Sequence, residues 1–266
     1  MPSTLIFLLL PLASIAQNIG GGAHPQNGGD PNHIGGGVYP ASSTTLNPSS
    51  PTNGGYPYYT PQAFPDSITS PTACRMDFES LLCDPNEVLS KGNITANHIQ
   101  ISNLLQSIRS TTQCMCAPAD SNLGQCQGEG GFSVSVALVS NIKLASDETS
   151  RVDRIQAAAK FANTLRAIQG RGQCGDDALV LISKNDRVMW TSVGEVTTRY
   201  LTPELISSVT LNAEKFFYNQ DWTGGLNYTL SMYSEVMQGR KPDLRPPSGW
   251  YWPIPLRIED KNTRWE

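Results

Sequence analysis

The composition changes abruptly at residue 74, and this change limits which part of the chain can fold. Residues 17–73 contain ten glycines and nine prolines but only two charged residues, Asp30 and Asp66. A segment of this composition buries too little apolar surface to offset its loss of chain entropy. The first cysteine and the first basic residue are Cys74 and Arg75. The sequence therefore predicts a disordered Gly/Pro/Ser-rich linker over 17–73 and a folded domain that begins at residue 74.

The segment before the linker has the features of a secretion signal. Residues 1–16 are mostly apolar, and the run is shorter than the roughly 20 residues that span a bilayer. Small residues, Ser14 and Ala16, occupy the positions that a signal peptidase recognises. We expect cleavage after Ala16 and a secreted, extracellular protein. An uncleaved membrane anchor is the alternative.

Six cysteines in a secreted chain predict three disulfides, whose pairing the sequence leaves open. A zinc site is the competing interpretation, but Cys114 and Cys116 are too close in the chain for a zinc knuckle and the chain has three histidines. Two sequons, at Asn93 and Asn227, predict glycosylation. The cysteines are Cys74, Cys83, Cys114, Cys116, Cys126 and Cys174.

The charge of the chain disfavours polyanionic partners. The formal net charge is −4 and the sequence pI is about 5.4. Nucleic acid and anionic lipid surfaces bind basic proteins, so we expect neither as a partner. No stretch of the mature chain, including the part after Gly239, is long and apolar enough for a transmembrane helix.

The pattern of apolar residues after residue 74 predicts alternating helices and strands. Helices are predicted over 95–110, 151–169, 202–217 and 223–238, and strands over 132–142, 177–183 and 187–193. Ser150 and Thr202 are the expected N-caps of two of these helices. This order predicts an α/β domain over 74–240, a three-layer α-β-α sandwich with a small mixed β-sheet. A Pro/Trp-rich tail follows over 241–266.

Most catalytic schemes lack their residues in this chain. His98 is the only histidine after residue 74, so a Ser–His–Asp or Cys–His arrangement is disfavoured. No glycine-rich phosphate loop opens a predicted helix. We therefore predict no catalytic residues.

Acidic residues next to the predicted strands offer one remaining chemistry. Asp84 precedes the first helix, and Asp176 and Asp177 stand at the start of a strand. Converging carboxylates can bind Ca²⁺ or Mg²⁺, and these three form the candidate metal site. The alternative is that Asp176 and Asp177 are turn residues beside a disulfide. Asp186 and Arg187 lie at the other end of that strand, and we expect them to be residues of a solvated hairpin turn.

Several motifs resemble the TPM domain and, more closely, the modulator of levamisole receptor family. They cover roughly residues 74–240, and the most specific of them is the block 174–194. The quoted motifs are CDPN (83–86), TQCMC (112–116), AAKFA (158–162), CGDDALV (174–180) and DRVMWTSVG (186–194).

The resemblance has two implications for function. The TPM domain implies an α/β sandwich whose loop acids bind a divalent cation, and some members are regarded as phosphatases. The levamisole-receptor branch implies an extracellular accessory protein that modulates acetylcholine-gated channels, usually held by a single membrane span. We therefore carry two hypotheses: a non-enzymatic modulator of such a channel or a related receptor, and a divalent-metal-dependent acid phosphatase. We favour the modulator because no general base or nucleophile is evident.

Overall fold

A mixed β-sheet forms the centre of the protein. The computed structural model describes residues 52–53, 56–116, 130–143 and 150–244. Four strands pair in the order β3-β4-β5-β6, with β4 parallel to both neighbours and β6 antiparallel to β5. A separate antiparallel pair, β1 and β2, precedes them. The strands are β1 (Thr52–Asn53), β2 (Tyr56–Pro57), β3 (Leu82–Cys83), β4 (Ser133–Val139), β5 (Asp177–Ser183) and β6 (Val188–Val193).

Helices cover the sheet, and each begins at a polar cap. They are α1 (Ile94–Thr111), α2 (Arg151–Gln169), α3 (Pro203–Tyr218) and α4 (Trp222–Met237). Ser150 caps α2 in a reciprocal capping box with Asp153, and Thr202 caps α3. Asn93 and Asp221 cap α1 and α4. The predicted α/β sandwich with a mixed sheet is confirmed, and the expected caps at Ser150 and Thr202 are observed.

Two adjacent residues of β6 show that the helices form layers on both faces of the sheet. The Thr191 hydroxyl lies 2.8 Å from the Tyr233 hydroxyl of α4. The next hydroxyl, Ser192 Oγ, accepts a hydrogen bond from Arg166 of α2. Successive side chains of a strand point to opposite faces, so α4 and α2 cover opposite faces. Helix α4 packs against both α1 and α3.

The core lies on the two central strands. Every residue of β4 and β5 is buried, and α1 contributes an apolar stripe of Ile101, Leu105 and Ile108. A strand buried on both faces has apolar residues in succession rather than in alternation, which matches the run Val136–Val139. None of the described helices is both long and apolar enough to cross a membrane.

The packed region begins before residue 74. Phe64 is buried, with its ring edge-on to Tyr59 at 5.5 Å and to Phe161 of α2 at 6.1 Å. Asp66 forms a 2.7 Å ion pair with Arg171. The segment 59–73, which its composition assigned to the linker, therefore packs against the domain through a few aromatic and charged contacts. Its Gly/Pro content did not reveal these contacts.

Sequence analysis did not predict the edge strand β3. A strand of two residues is too short to show alternation, and β3 forms only because it pairs with Val136 and Ala137 of β4. The predicted signal peptide (1–16), Cys126 and the tail after residue 244 lie outside the described residues.

Candidate functional site

The fold does not bring the three candidate metal ligands together. Asp84 follows β3 at the carboxyl end of the parallel strands, whereas Asp176 and Asp177 lie at their amino end. The two ends are separated by the length of β4 from Ser133 to Ala137, or about 13 Å along the strands. One ion cannot be bound from both ends. Binding of Ca²⁺ or Mg²⁺ stays a prediction that this geometry does not support.

Asp84 is fully buried and already has three hydrogen-bond partners. Its Oδ1 accepts from the backbone N–H of Val88 at 2.7 Å, and its Oδ2 accepts from the N–H of Leu89 at 3.0 Å. The same Oδ2 lies 3.1 Å from Nε2 of His98. The carboxylate therefore fixes the loop between β3 and α1 and connects that loop to the first turn of α1.

Asp177 is paired with a cation. Its Oδ1 lies 2.9 Å from Nη1 of Arg166, whose Nε donates to Ser192. Burial raises the pKa of Asp177 above its ordinary value, although the Arg166 charge opposes the rise. The negative charge of Asp176 adds to the rise. The desolvated carboxylate is thus held between a helix and the sheet.

Asp176 stabilises the turn that leads into β5. Its Oδ1 accepts from the backbone N–H of Gln173 at 2.6 Å and from that of Cys174 at 3.4 Å. The residue is 2% exposed. The interpretation of Asp176 as a turn residue beside a disulfide agrees with these contacts.

Two of the disulfides lie within the described residues. They join Cys74 to Cys83 and Cys116 to Cys174, and Cys114 is also disulfide-bonded. Cys114, Cys116 and Asp176 are the described side chains that could jointly hold a metal ion, with ligand atoms within 4.8 Å of one another. Sulfur atoms in disulfides are not thiolates, so this cluster does not suit a metal while it is oxidised.

Asp186 and Arg187 lie in the turn between β5 and β6, as predicted. Asp186 is more than a solvated charge, because its Oδ2 accepts from the backbone N–H of Ile142 and from the hydroxyl of Ser183. Arg187 has a φ of 53°, in the left-handed region. The turn is therefore tied to the loop that follows β4.

A cleft of about 320 Å³ lies beside the start of α1. His98 forms part of its wall, and this side chain is held in place by its contact with the buried Asp84. The remaining lining residues come from the segment before β3, the loop after it and the first turn of α1: Thr72, Arg75, Met76, Asp77, Phe78, Glu87, Ile94 and Thr95.

Two lining residues have left-handed backbone conformations. Arg75 has a φ of 59° and Glu87 a φ of 54°, which are costly for residues with a Cβ. Their side chains form an ion pair of 3.8 Å. Such conformations persist only where the surrounding structure enforces them, and they cluster at functional sites. The cleft is thus the part of the described protein where a histidine–aspartate pair, unusual backbone geometry and open space coincide.

Comparison with known proteins identifies the region that contains the cleft. Residues 59–187 match the model of a protein family described as Modulator of levamisole receptor-1. This region is therefore similar to the modulator of levamisole receptor-1 family. No curated protein matches the chain with significance.

Two solved structures resemble the fold of the protein only distantly. The N-terminal domain of a protein from P. gingivalis is 15% identical with a TM-score of 0.45, covering 68% of this chain and 93% of that one. The BA42 protein from Bizionia argentinensis is 9% identical with a TM-score of 0.37, covering 56% of this chain and 83% of that one. At these TM-scores the similarity says nothing about function.

The levamisole receptor-1 match spans the cleft, both described disulfides and the hairpin turn. It begins at residue 59 and ends at residue 187. The segment 59–73, which packs on α2 through Phe64, is therefore part of the family region. All of β6 and helices α3 and α4 lie beyond the match.

The two sequons differ in accessibility. Asn93 is exposed at the start of α1, where its Oδ1 accepts from the N–H of Ala96. Asn227 is half-buried within α4, and the hydroxyl of its Thr229 donates to Gly225 inside the protein. Of the two predicted sites, Asn93 is the one that the folded domain presents.

The role of His98 is not predicted from the sequence, where it counts only as the single histidine after residue 74. The available signal was its position, since His98 lies three residues before Ile101 and seven before Leu105, on the buried stripe of α1. A polar residue at a buried position requires a partner, and Asp84 provides it.

Proposed function

We propose that this protein is an extracellular, non-enzymatic accessory protein that modulates an acetylcholine-gated channel of the levamisole type. The observation that carries the proposal is the family match over residues 59–187. That region includes most of the sheet, the cleft and both described disulfides, so it is the part of the chain that would meet a receptor.

The covalent structure supports an extracellular location. Disulfides persist in oxidising compartments and are rare in the cytosol. The protein contains Cys74–Cys83 and Cys116–Cys174, and no cysteine within the described ranges is free. The exposed sequon at Asn93 and the predicted signal peptide over residues 1–16 fit the same compartment.

The phosphatase hypothesis has less support. It requires Asp84, Asp176 and Asp177 to share a divalent cation, and the sheet holds Asp84 at the opposite end from the other two. All three carboxylates already accept hydrogen bonds from backbone amides or from Arg166.

Co-expression with an acetylcholine-gated channel tests the proposal. Currents are recorded from cells that express the channel alone, with this protein, or with its Leu138→Asp variant. Leu138 is fully buried in β4, so this substitution places a charge in the core and gives a matched control that does not fold. We expect the wild-type protein to change the current amplitude or the agonist dependence, and the variant to have no effect.

Unchanged currents, with expression of both the channel and this protein confirmed, would contradict the proposal. A phosphatase assay on the purified protein with added Mg²⁺ or Ca²⁺ then addresses the second hypothesis. Hydrolysis that is lost in Asp176→Asn, together with unchanged currents, would favour the enzyme over the modulator.

A further inference from the structure

The cleft beside α1 carries an excess of negative charge. Its charged lining side chains are Arg75, Asp77 and Glu87. Arg75 is engaged with Glu87 in the 3.8 Å ion pair across the lining. Within the described part of the chain, the carboxylate of Asp77 forms no hydrogen bond or ion pair. One unbalanced acid therefore faces a cleft that opens to solvent.

His98 places a ring nitrogen in the same wall. Both oxygens of Asp84 accept from backbone amides, and Oδ2 also lies 3.1 Å from Nε2 of His98. In the tautomer that carries its proton on Nε2, this atom donates to Asp84 and Nδ1 has a free lone pair. No residue of the described ranges forms a hydrogen bond to Nδ1, although His98 is only 5% exposed.

An aromatic ring borders the acidic side of the cleft. Phe78 is 41% exposed, which is high for a large apolar side chain, and it follows Asp77 directly in the chain. The face of an aromatic ring attracts cations. An anion fits less well, because Arg75 is already neutralised by Glu87 and the start of α1 is capped by Asn93.

We propose that this cleft binds an organic ammonium group that carries N–H donors. Nδ1 of His98 accepts a hydrogen bond from the ammonium, Asp77 balances its charge and Phe78 covers its apolar part. The cleft has about 320 Å³, at the lower end of the range of about 300–1,000 Å³ for small-molecule sites. The ammonium is that of a small free amine or the end of a partner's lysine side chain. The inference does not depend on the proposed function, since it concerns the isolated protein.

Nuclear magnetic resonance of the histidine rings tests the proposal directly. The chain has three histidines, and a His98→Gln variant identifies the His98 signals. The ¹⁵N shifts at mildly alkaline pH should show the Nε2–H form of His98. Titration with ethylammonium should shift the Nδ1 signal of His98 and leave His24 and His33 unchanged. Tetramethylammonium, which has no N–H, should bind at least about threefold more weakly, as expected for one lost hydrogen bond.

Two matched carboxylate variants test whether Asp77 provides the negative charge that binds the ammonium. Asp77→Asn should weaken ethylammonium binding by about threefold, the size expected for an exposed charge contact. Glu79→Gln should leave binding unchanged, because Glu79 is also exposed but does not line the cleft. A further comparison uses the wild-type protein and measures the binding of capped lysine and of ethylammonium. Tighter binding of capped lysine assigns the site to a partner's side chain. Tighter binding of ethylammonium assigns it to a free amine.

Three outcomes would overturn the proposal. The first is a His98 response to sodium acetate but not to ethylammonium, which would make the cleft an anion site. The second is no response to any probe in a protein whose unfolding curve is normal. The third is an equal weakening of ethylammonium binding by Asp77→Asn and Glu79→Gln, which would show that binding depends only on the overall charge of the protein.

Discussion

The two ends of the central sheet use buried carboxylates in different ways. At the amino end, Asp177 is neutralised by Arg166, and Asp176 binds the amides of the turn before β5. At the carboxyl end, Asp84 has no basic side chain of permanent charge among its described contacts. It binds two amides and His98, and His98 in turn borders the cleft. The carboxylates of the amino end are paired within the fold, whereas the carboxyl end borders the cleft.

This difference explains why a cluster of acids in the sequence is a poor guide to a site. Asp176 and Asp177 stand together in the chain and look the more promising pair, but their contacts are used within the fold. Asp84 is isolated in the chain and yet holds the one histidine of the described region. Ligands of parallel α/β sheets bind near the carboxyl ends of the strands, which is where Asp84 lies.

The largest expected effect is on stability: removing the disulfide at one end of the sheet should cost more than removing the one at the other end. Cys116–Cys174 closes a loop with a sequence separation of 58, and Cys74–Cys83 one of 9. The chain-entropy relation gives a stabilisation of about 4 kcal/mol for the first and about 2.6 kcal/mol for the second. Replacing both cysteines of each pair with alanine should therefore lower the free energy of unfolding more at the amino end. Urea unfolding without reductant measures both variants.

An equal or larger loss for the Cys74→Ala/Cys83→Ala variant would contradict this expectation. The short bridge would then stabilise the native cleft directly, through contacts made in the folded state. Restriction of the unfolded chain would not be the main source of its stabilisation.

The second prediction concerns Asp84 itself. Asp84→Ala leaves the amides of Val88 and Leu89 and the ring of His98 without their acceptor in a fully buried place. We expect a loss of about 3 kcal/mol in the free energy of unfolding. The control is Asp77→Ala, an exposed acid a few residues away, which should change stability by less than about 0.5 kcal/mol.

Urea unfolding decides this prediction too. A loss below about 1 kcal/mol for Asp84→Ala would show that water can replace the carboxylate, and that the loop after β3 is held by other contacts. The ring ¹⁵N shifts of His98 in this variant provide a second readout. Without Asp84 the share of the Nδ1–H form should rise.

Much of the fold was predictable because its elements are long and strongly patterned. The stripe of α1, the buried run of β4 and the β5–β6 hairpin all have lengths at which periodicity is informative. β3 and the segment 59–73 were missed for a physical reason. Each is held by tertiary partners, Val136 and Phe161 among them, and has little local pattern of its own.

The candidate site was predictable only in part. The sequence pointed to Asp84 as a residue of interest, but it gave no means of choosing between a metal ligand and a partner for His98. That choice depends on which end of the sheet each acid occupies. The position follows from strand register, which a single sequence does not state. The conformations of Arg75 and Glu87 likewise leave no trace in residue type, because glycine would be the expected residue there.

The smallest expected effect is a pair of opposite pH dependences. The pKa of Asp177 is raised because burial outweighs the attraction of Arg166, so the folded state holds its proton to higher pH than the unfolded state. Asp177 therefore reduces stability as pH rises from the ordinary aspartate pKa of about 3.9 through its raised value. The pKa of Asp66 is lowered, because its hydrogen bonds from Arg171, Ile68 and Thr69 together outweigh its partial burial. Asp66 thus contributes stability above the ordinary pKa, which is lost as pH falls through its lowered value.

Asparagine variants isolate these two dependences. Relative to the wild type, Asp177→Asn should gain stability as pH rises through the window above about 3.9, and Asp66→Asn should gain it as pH falls through the window below. Thermal unfolding across the acid range at constant ionic strength measures both differences. Slopes of the same sign would show that the Arg166 pair dominates at the amino end of the sheet. Asp177 would then be an ordinary ion-pair partner like Asp66, and the amino end would not be distinguished by a desolvated carboxylate.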